Sequence, residues 1–184
     1  MKKTLFIIFT IIFSLNIQAQ HTERFLELTK PLKAIDSTTI IRKYKNGNPK
    51  EITKYLQYEY GDYIYDFFNG KYQIFDKNGI VFYEEEFDRF GNILKGIQIN
   101  ENGEIFKEIV TEKIDVKTES IEKFLNSRKT VIITAYEKEY SSTEKNGELF
   151  LWKEGKRVNG KKIGVWKTYN GCDDTIKIKD YSKK

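Results

Sequence analysis

Acid–base chemistry in this chain would have to come from carboxylates. Glu84, Glu85, Glu86 and Asp88 stand close together, and glycoside hydrolysis needs two carboxyls, one as acid and one as base or nucleophile. The spacing argues for a plainer role. Side chains alternate between the faces of a strand, so Glu84, Glu86 and Asp88 read as one solvated stripe. The only histidine, His21, falls where a mature chain would just begin and where order is least expected. A Ser–His or Cys–His nucleophile is therefore not anticipated. Cys172 is the single cysteine and reads as a small residue beside the Gly171 turn, which leaves no internal disulfide. Asp76, Asn78, Asn100, Asn102 and Glu104 carry oxygens near turns but lack the acid spacing of a calcium loop. No catalytic residue, metal site or cofactor is predicted.

Binding chemistry has more material. Without residues 1–19 the chain keeps 12 Tyr, 2 Trp and 10 Phe, side chains that stack well and, in Tyr and Trp, carry a polar tip. Trp152, Trp166 and Tyr169 are the candidate contact or core positions. Lys153, Lys156, Arg157, Lys161 and Lys162 form a basic group beside them, suited to an anionic surface. The predicted binding set is Trp152, Trp166, Tyr169, Lys156, Arg157, Lys161 and Lys162.

These side chains must be positioned by strands. Gly79, Gly91 and Gly103 fall at twelve-residue intervals, with short Ile-, Val-, Phe- and Tyr-rich runs between them across residues 75–110, the rhythm of an antiparallel meander. Seven of the twelve glycines follow an asparagine, and Asn-Gly favours the type I′ hairpin turn because both residues tolerate positive φ. Leu56, Tyr58 and Tyr60 alternate with Gln57 and Glu59, Tyr63, Tyr65 and Phe67 flank Asp66, and Ile176 and Ile178 oppose Lys177 and Lys179. Each run predicts one apolar and one wet face. Phe25, Leu26 and Leu28 suggest a helical turn ending before Pro31. Ile121, Phe124 and Leu125 are at helical spacing, which predicts one short helix over about 119–127 with Thr118 as its cap. The run 130–136, apolar on both sides, should be the most buried strand.

Asn159-Gly160-Lys161-Lys162-Ile163-Gly164-Val165-Trp166-Lys167-Thr168-Tyr169-Asn170-Gly171 resembles one unit of the MORN-type repeat in its bacterial variant, and Gly147 to Lys156 resembles a second. In the tract 75–110, Phe87-Asp88-Arg89-Phe90-Gly91-Asn92-Ile93 resembles a unit of the tyrosine-aspartate (YD or RHS-type) repeats, which form shells only in arrays far longer than this chain. The MORN resemblance implies an elongated β-meander for protein or membrane contact, with Gly164 permitting close backbone approach and Trp166 and Tyr169 covering a neighbouring hairpin.

The chain opens with Lys2 and Lys3, an apolar run from Leu5 to Phe13, and a small residue at Ala19, the pattern of a secretory leader cut after Ala19. The apolar run is short for a membrane span, and no lipid-anchoring cysteine follows it. Removing 1–19 takes two lysines and no acid, so 30 cations face 27 anions, a net +3. Such balance speaks against a nucleic-acid binder. The expectation is a mainly β fold: an elongated antiparallel meander with one short helix, a single domain over 20–184. Its parts are a first hairpin block over 20–117, the helix at 118–129 and a MORN-like block over 130–184. The predicted function is a non-catalytic exported binding or scaffold module, periplasmic or extracellular, contacting a protein partner or cell-surface polymer. The alternatives are a carboxylate-based glycan hydrolase and an antitoxin- or immunity-like partner of an exported toxin.

Overall fold

Hairpin turns built on one plan set the architecture. At Asp76, Asp88 and Asn100 the side-chain Oδ1 accepts from the backbone N–H two and four residues on. The glycine three residues on donates its N–H back to the carbonyl of that Asp or Asn. Gly79, Gly91 and Gly103 take positive φ there, while the residues before them do not. This is the three-residue loop of a type I turn closed by a left-handed glycine. Among the described residues the type I′ expectation holds only at Asn159-Gly160, where φ is 46° and 78°. At the Gly79, Gly91 and Gly103 turns the Asp or Asn at the start of the loop locks the turn by bonding its own backbone.

The computed structural model describes residues 20–143, 147–171, 173 and 175–182. The predicted leader, Asn146 and Cys172 lie outside them. Helix α1 (Glu23–Thr29) is followed by strands β1 (Ala34–Lys43), β2 (Pro49–Tyr60), β3 (Tyr63–Phe68), β4 (Gly70–Phe75), β5 (Val81–Phe87), β6 (Ile93–Ile99) and β7 (Ile105–Val116). Helix α2 (Ile121–Asn126) and a 3₁₀ turn (Arg128–Thr130) precede β8 (Val131–Ser142), β9 (Leu149–Val158), β10 (Lys161–Tyr169) and β11 (Ile176–Asp180). All strand pairings are antiparallel and run in chain order from β1 to β11, except that β3 branches off β2. The predicted meander is therefore observed, and the β7–β8 ladder joins the segments before and after α2 into one sheet. Nine strand spacings make that open sheet about 43 Å wide.

The helices differ from expectation in detail. The turn around Phe25 is a two-turn helix capped by Thr22. Helix α2 starts later than predicted because Ser120, not Thr118, accepts the Lys123 N–H at 3.2 Å. Thr118 Oγ1 instead accepts from Ser120 N–H.

Both helices pack on one end of one sheet face. Phe25, Leu32, Phe124 and Leu125 meet Ile114, Val116 and Val131, together with Tyr58, Phe67 and Phe90. Phe90 sits edge-on to Phe25, Phe67 and Phe124 at ring distances of 5.4–6.2 Å. Strand β8, as expected from its apolar run, has no fully exposed position before its last residue. The edge strands are the opposite case. Every residue of β1 and β11 is exposed, so Ile176 and Ile178, predicted to face a core, meet solvent because no layer covers that end of the sheet.

Candidate functional site

Residues opposite one another across a ladder share a face, so register sorts the functional side chains. One row runs Glu84, Ile97, Glu108, Lys138, Glu154, Lys167 on the side away from the helices. The row Glu85, Gly96, Ile109, Glu137, Gly155 lies on the helix side. The acidic run is thus divided. Glu84 pairs with Lys71 (3.1 Å) and Gln73 (2.6 Å), whereas Glu85, on the opposite face, accepts from the hydroxyl of Tyr83 on its own strand. Asp88 does not join the stripe. It is buried and accepts four hydrogen bonds: Phe90 N–H and Asn92 N–H on Oδ1, Asn92 Nδ2 and His21 Nε2 on Oδ2.

His21 is correspondingly well placed, against the sequence expectation. Strand β6 pairs with β7 only as far as Val110, and residues 20–22 occupy the β7 edge beyond it, with Thr22 N–H donating to Ile114 O at 2.9 Å. The His21 ring stacks on Phe25 at 4.8 Å while its Nε2 lies 2.8 Å from Asp88. No sequence periodicity marks this contact, which spans 67 residues. The role is structural: His21 and Asp88 clip α1 to the Phe90 turn.

Trp166 is core, with 2 % of its surface exposed. Its ring lies flat over Gly155, where an added Cβ would come within 2.5 Å of the indole. Nε1 donates to Lys156 O at 3.0 Å, and Lys162 Nζ and the Arg157 guanidinium stand 3.9 and 5.0 Å from the ring centre. The close approach anticipated at Gly164 therefore belongs to Gly155. Gly164 takes positive φ at a break in the β9–β10 register and has open space around it.

The basic group is largely committed to internal partners. Arg157 Nη2 bonds Glu137 at 2.6 Å and Nη1 bonds Gly160 O at 2.7 Å. Glu137, 2 % exposed, also has Lys107 at 3.3 Å. Burial alone would raise its carboxyl, but the Arg157 hydrogen bond and nearby cations outweigh that and hold it below its ordinary value. Lys156 pairs with Glu112 at 2.8 Å. Lys161 is exposed at the Asn159-Gly160 hairpin.

Of the three predicted aromatic positions, Trp152 is the exposed one, at 39 %. With Thr168, Tyr169, Asn170, Thr175 and Lys177 it lines an open cleft of about 310 Å³. Lys153 Nζ sits 3.6 Å from the Trp152 ring centre. Tyr169 donates to Glu154 at 2.6 Å, and this bond, with lesser burial, raises the phenol above its ordinary value. Tyr136 donates to the same carboxylate; burial and that bond push it up to about 12. The structure therefore brings Trp152 and Tyr169 together and assigns Trp166 to packing.

A second concavity of about 540 Å³ lies beside the helices, lined chiefly by Phe68, Phe87, Ile93, Val131 and Ile133 under Arg128. Arg128 is held by Phe90 O, Gly91 O and Asn92 Oδ1 at 2.8–3.2 Å, so it seals the turn. Among the described residues no cluster of His, Cys, Asp and Glu is placed to hold a metal ion, and no helix is long and apolar enough to cross a membrane. No family model, no curated protein and no solved structure matches the chain.

Proposed function

We propose that this chain is a non-catalytic, exported binding module that takes a surface glycan chain in the Trp152 cleft. The observation that carries the reading is the exposed indole beside an open cleft whose other groups are hydroxyls, an amide and an ammonium. An aromatic plane with polar groups around it fits the apolar face and hydroxyl rim of a sugar ring. Of the candidate carboxylates of the hydrolase alternative, Glu85 faces the opposite side of the sheet from Glu84 and Glu86, and Asp88 is buried in a turn; Glu84, Glu85 and Asp88 already hold donors, which supports binding over hydrolysis. The MORN-type resemblance of residues 147–171 accords with a recognition role for the same hairpins.

Intrinsic fluorescence tests the reading, because Trp152 is exposed and Trp166 is buried. Titration with soluble neutral and anionic oligosaccharides is expected to give a saturable blue shift that vanishes in Trp152→Ala. No response in the wild type across that set, or an unchanged response in Trp152→Ala, overturns the assignment.

A further inference from the structure

We infer that strand β1 is a dimerisation edge that pairs antiparallel with β1 of a second copy of this chain. The path of the sheet ends on β1 and β11, and these two edges are unequal. Strand β11 has five residues, Ile176–Asp180, with Lys177, Lys179 and Asp180 among them, the short and charged design that keeps an edge from pairing. Strand β1 has ten residues, pairs among the described residues only with β2, and contains no proline; Ser37 to Ile41 reads Ser-Thr-Thr-Ile-Ile without a charge. Such an edge presents a row of backbone donors and acceptors and β-branched side chains, the features of a strand that templates another.

Charge pattern selects a second copy as the occupant. A two-fold axis through Thr39 sets Thr38 opposite Ile40 and Ser37 opposite Ile41 of the other chain. The same register sets Asp36 opposite Arg42, twice by symmetry. A two-fold interface must be self-complementary in this way, and opposite charges directly across a ladder stabilise it. In the single chain Asp36 Oδ1 accepts from Ser37 N–H at 2.7 Å and Arg42 Nη1 donates to Glu51 at 3.0 Å. Asp36 Oδ2 and the remaining guanidinium N–H groups are thereby left for the partner. The product is a continuous sheet of two chains that carries two Trp152 clefts.

Sedimentation of the purified protein over a concentration series tests the inference. The expected result is a reversible shift to the mass of two chains. Asp36→Arg and Arg42→Asp each replace two attractive pairs by two repulsive ones and should weaken the dimer about tenfold or more. Mixed one to one, the two variants restore complementarity and form a heterodimer. Thr39→Lys, which sets like charges on the axis, should abolish pairing while circular dichroism stays native. A single-chain mass at every concentration, a dimer indifferent to Thr39→Lys, or failure of the folded charge variants to rescue each other overturns the inference. The readout is mass, so it stands or falls separately from the glycan titration.

Discussion

At the residue scale, one of the tight packing constraints is the flat contact of Trp166 on Gly155. Gly155→Ala places a methyl where the indole carbons already are, and overpacking of this kind costs about 1–3 kcal/mol. Trp166→Ala empties the site and should cost about 3–5 kcal/mol. Urea denaturation of both variants checks the order, and unchanged midpoints would remove Trp166 from the packing scheme. Trp152→Ala touches an exposed ring and should leave the midpoint within about 0.5 kcal/mol of wild type, which separates the two tryptophans by role.

At the element scale, the docking of α1 depends on one buried carboxylate. Asp88 anchors the hairpin between β5 and β6 and holds His21 at the head of α1. Asp88→Ala strands four donors and should cost about 3 kcal/mol or more. His21→Ala removes only the clip, so amide exchange in α1 should quicken about tenfold, corresponding to about 1.4 kcal/mol, with β7 and β8 unaffected. Equal acceleration throughout the sheet would show that His21 supports the whole fold and not the helix alone. Strands β1 and β11, exposed along their full length, should exchange fastest among the strands in dilute solution.

At the scale of the whole molecule, the sheet is a single layer that the helices cover at one end, and the buried Glu137 is paired with Lys107 and Arg157 among the strands beyond them. Glu137 and Asp115 are each pushed upward by burial. Hydrogen bonds and charge outweigh it, from Arg157 and Lys107 at Glu137 and from Thr22, Val116 N–H and Arg24 at Asp115, so both carboxyls lie below their ordinary values. A carboxyl held low when folded binds fewer protons than when unfolded, so its contribution is complete above its ordinary pKa and is lost as pH falls through the folded value. The melting temperature should therefore be flat from neutral pH to about 5 and fall below about 4.5, the ordinary value for Glu. Glu137→Gln should lower the neutral-pH plateau and shallow the acid limb. An acid limb identical to wild type would exclude Glu137 from the acid transition.

Local chemistry was legible wherever it acts over a few residues. The glycine rhythm gave the hairpins, alternation gave the faces of β2, β3 and β5, and the spacing of Ile121, Phe124 and Leu125 gave α2, because turn geometry and side-chain period are short-range properties. The loop type was readable too, in the Asp or Asn three residues before each glycine, a signal overshadowed by the Asn-Gly dipeptides. Three matters were settled by tertiary structure alone. Asp88 became a buried anchor and not part of a wet stripe, because the β5–β6 turn folds under the helices. His21 found its partner 67 residues away, and Gly155 rather than Gly164 received the indole, because β9 and β10 pair with a register break. Contacts between distant segments depend on register and on which face a layer covers, and neither is encoded in any window shorter than the sheet itself. Alternation predicted that Ile176 and Ile178 share a face; only the assembled sheet decided that nothing lies over it.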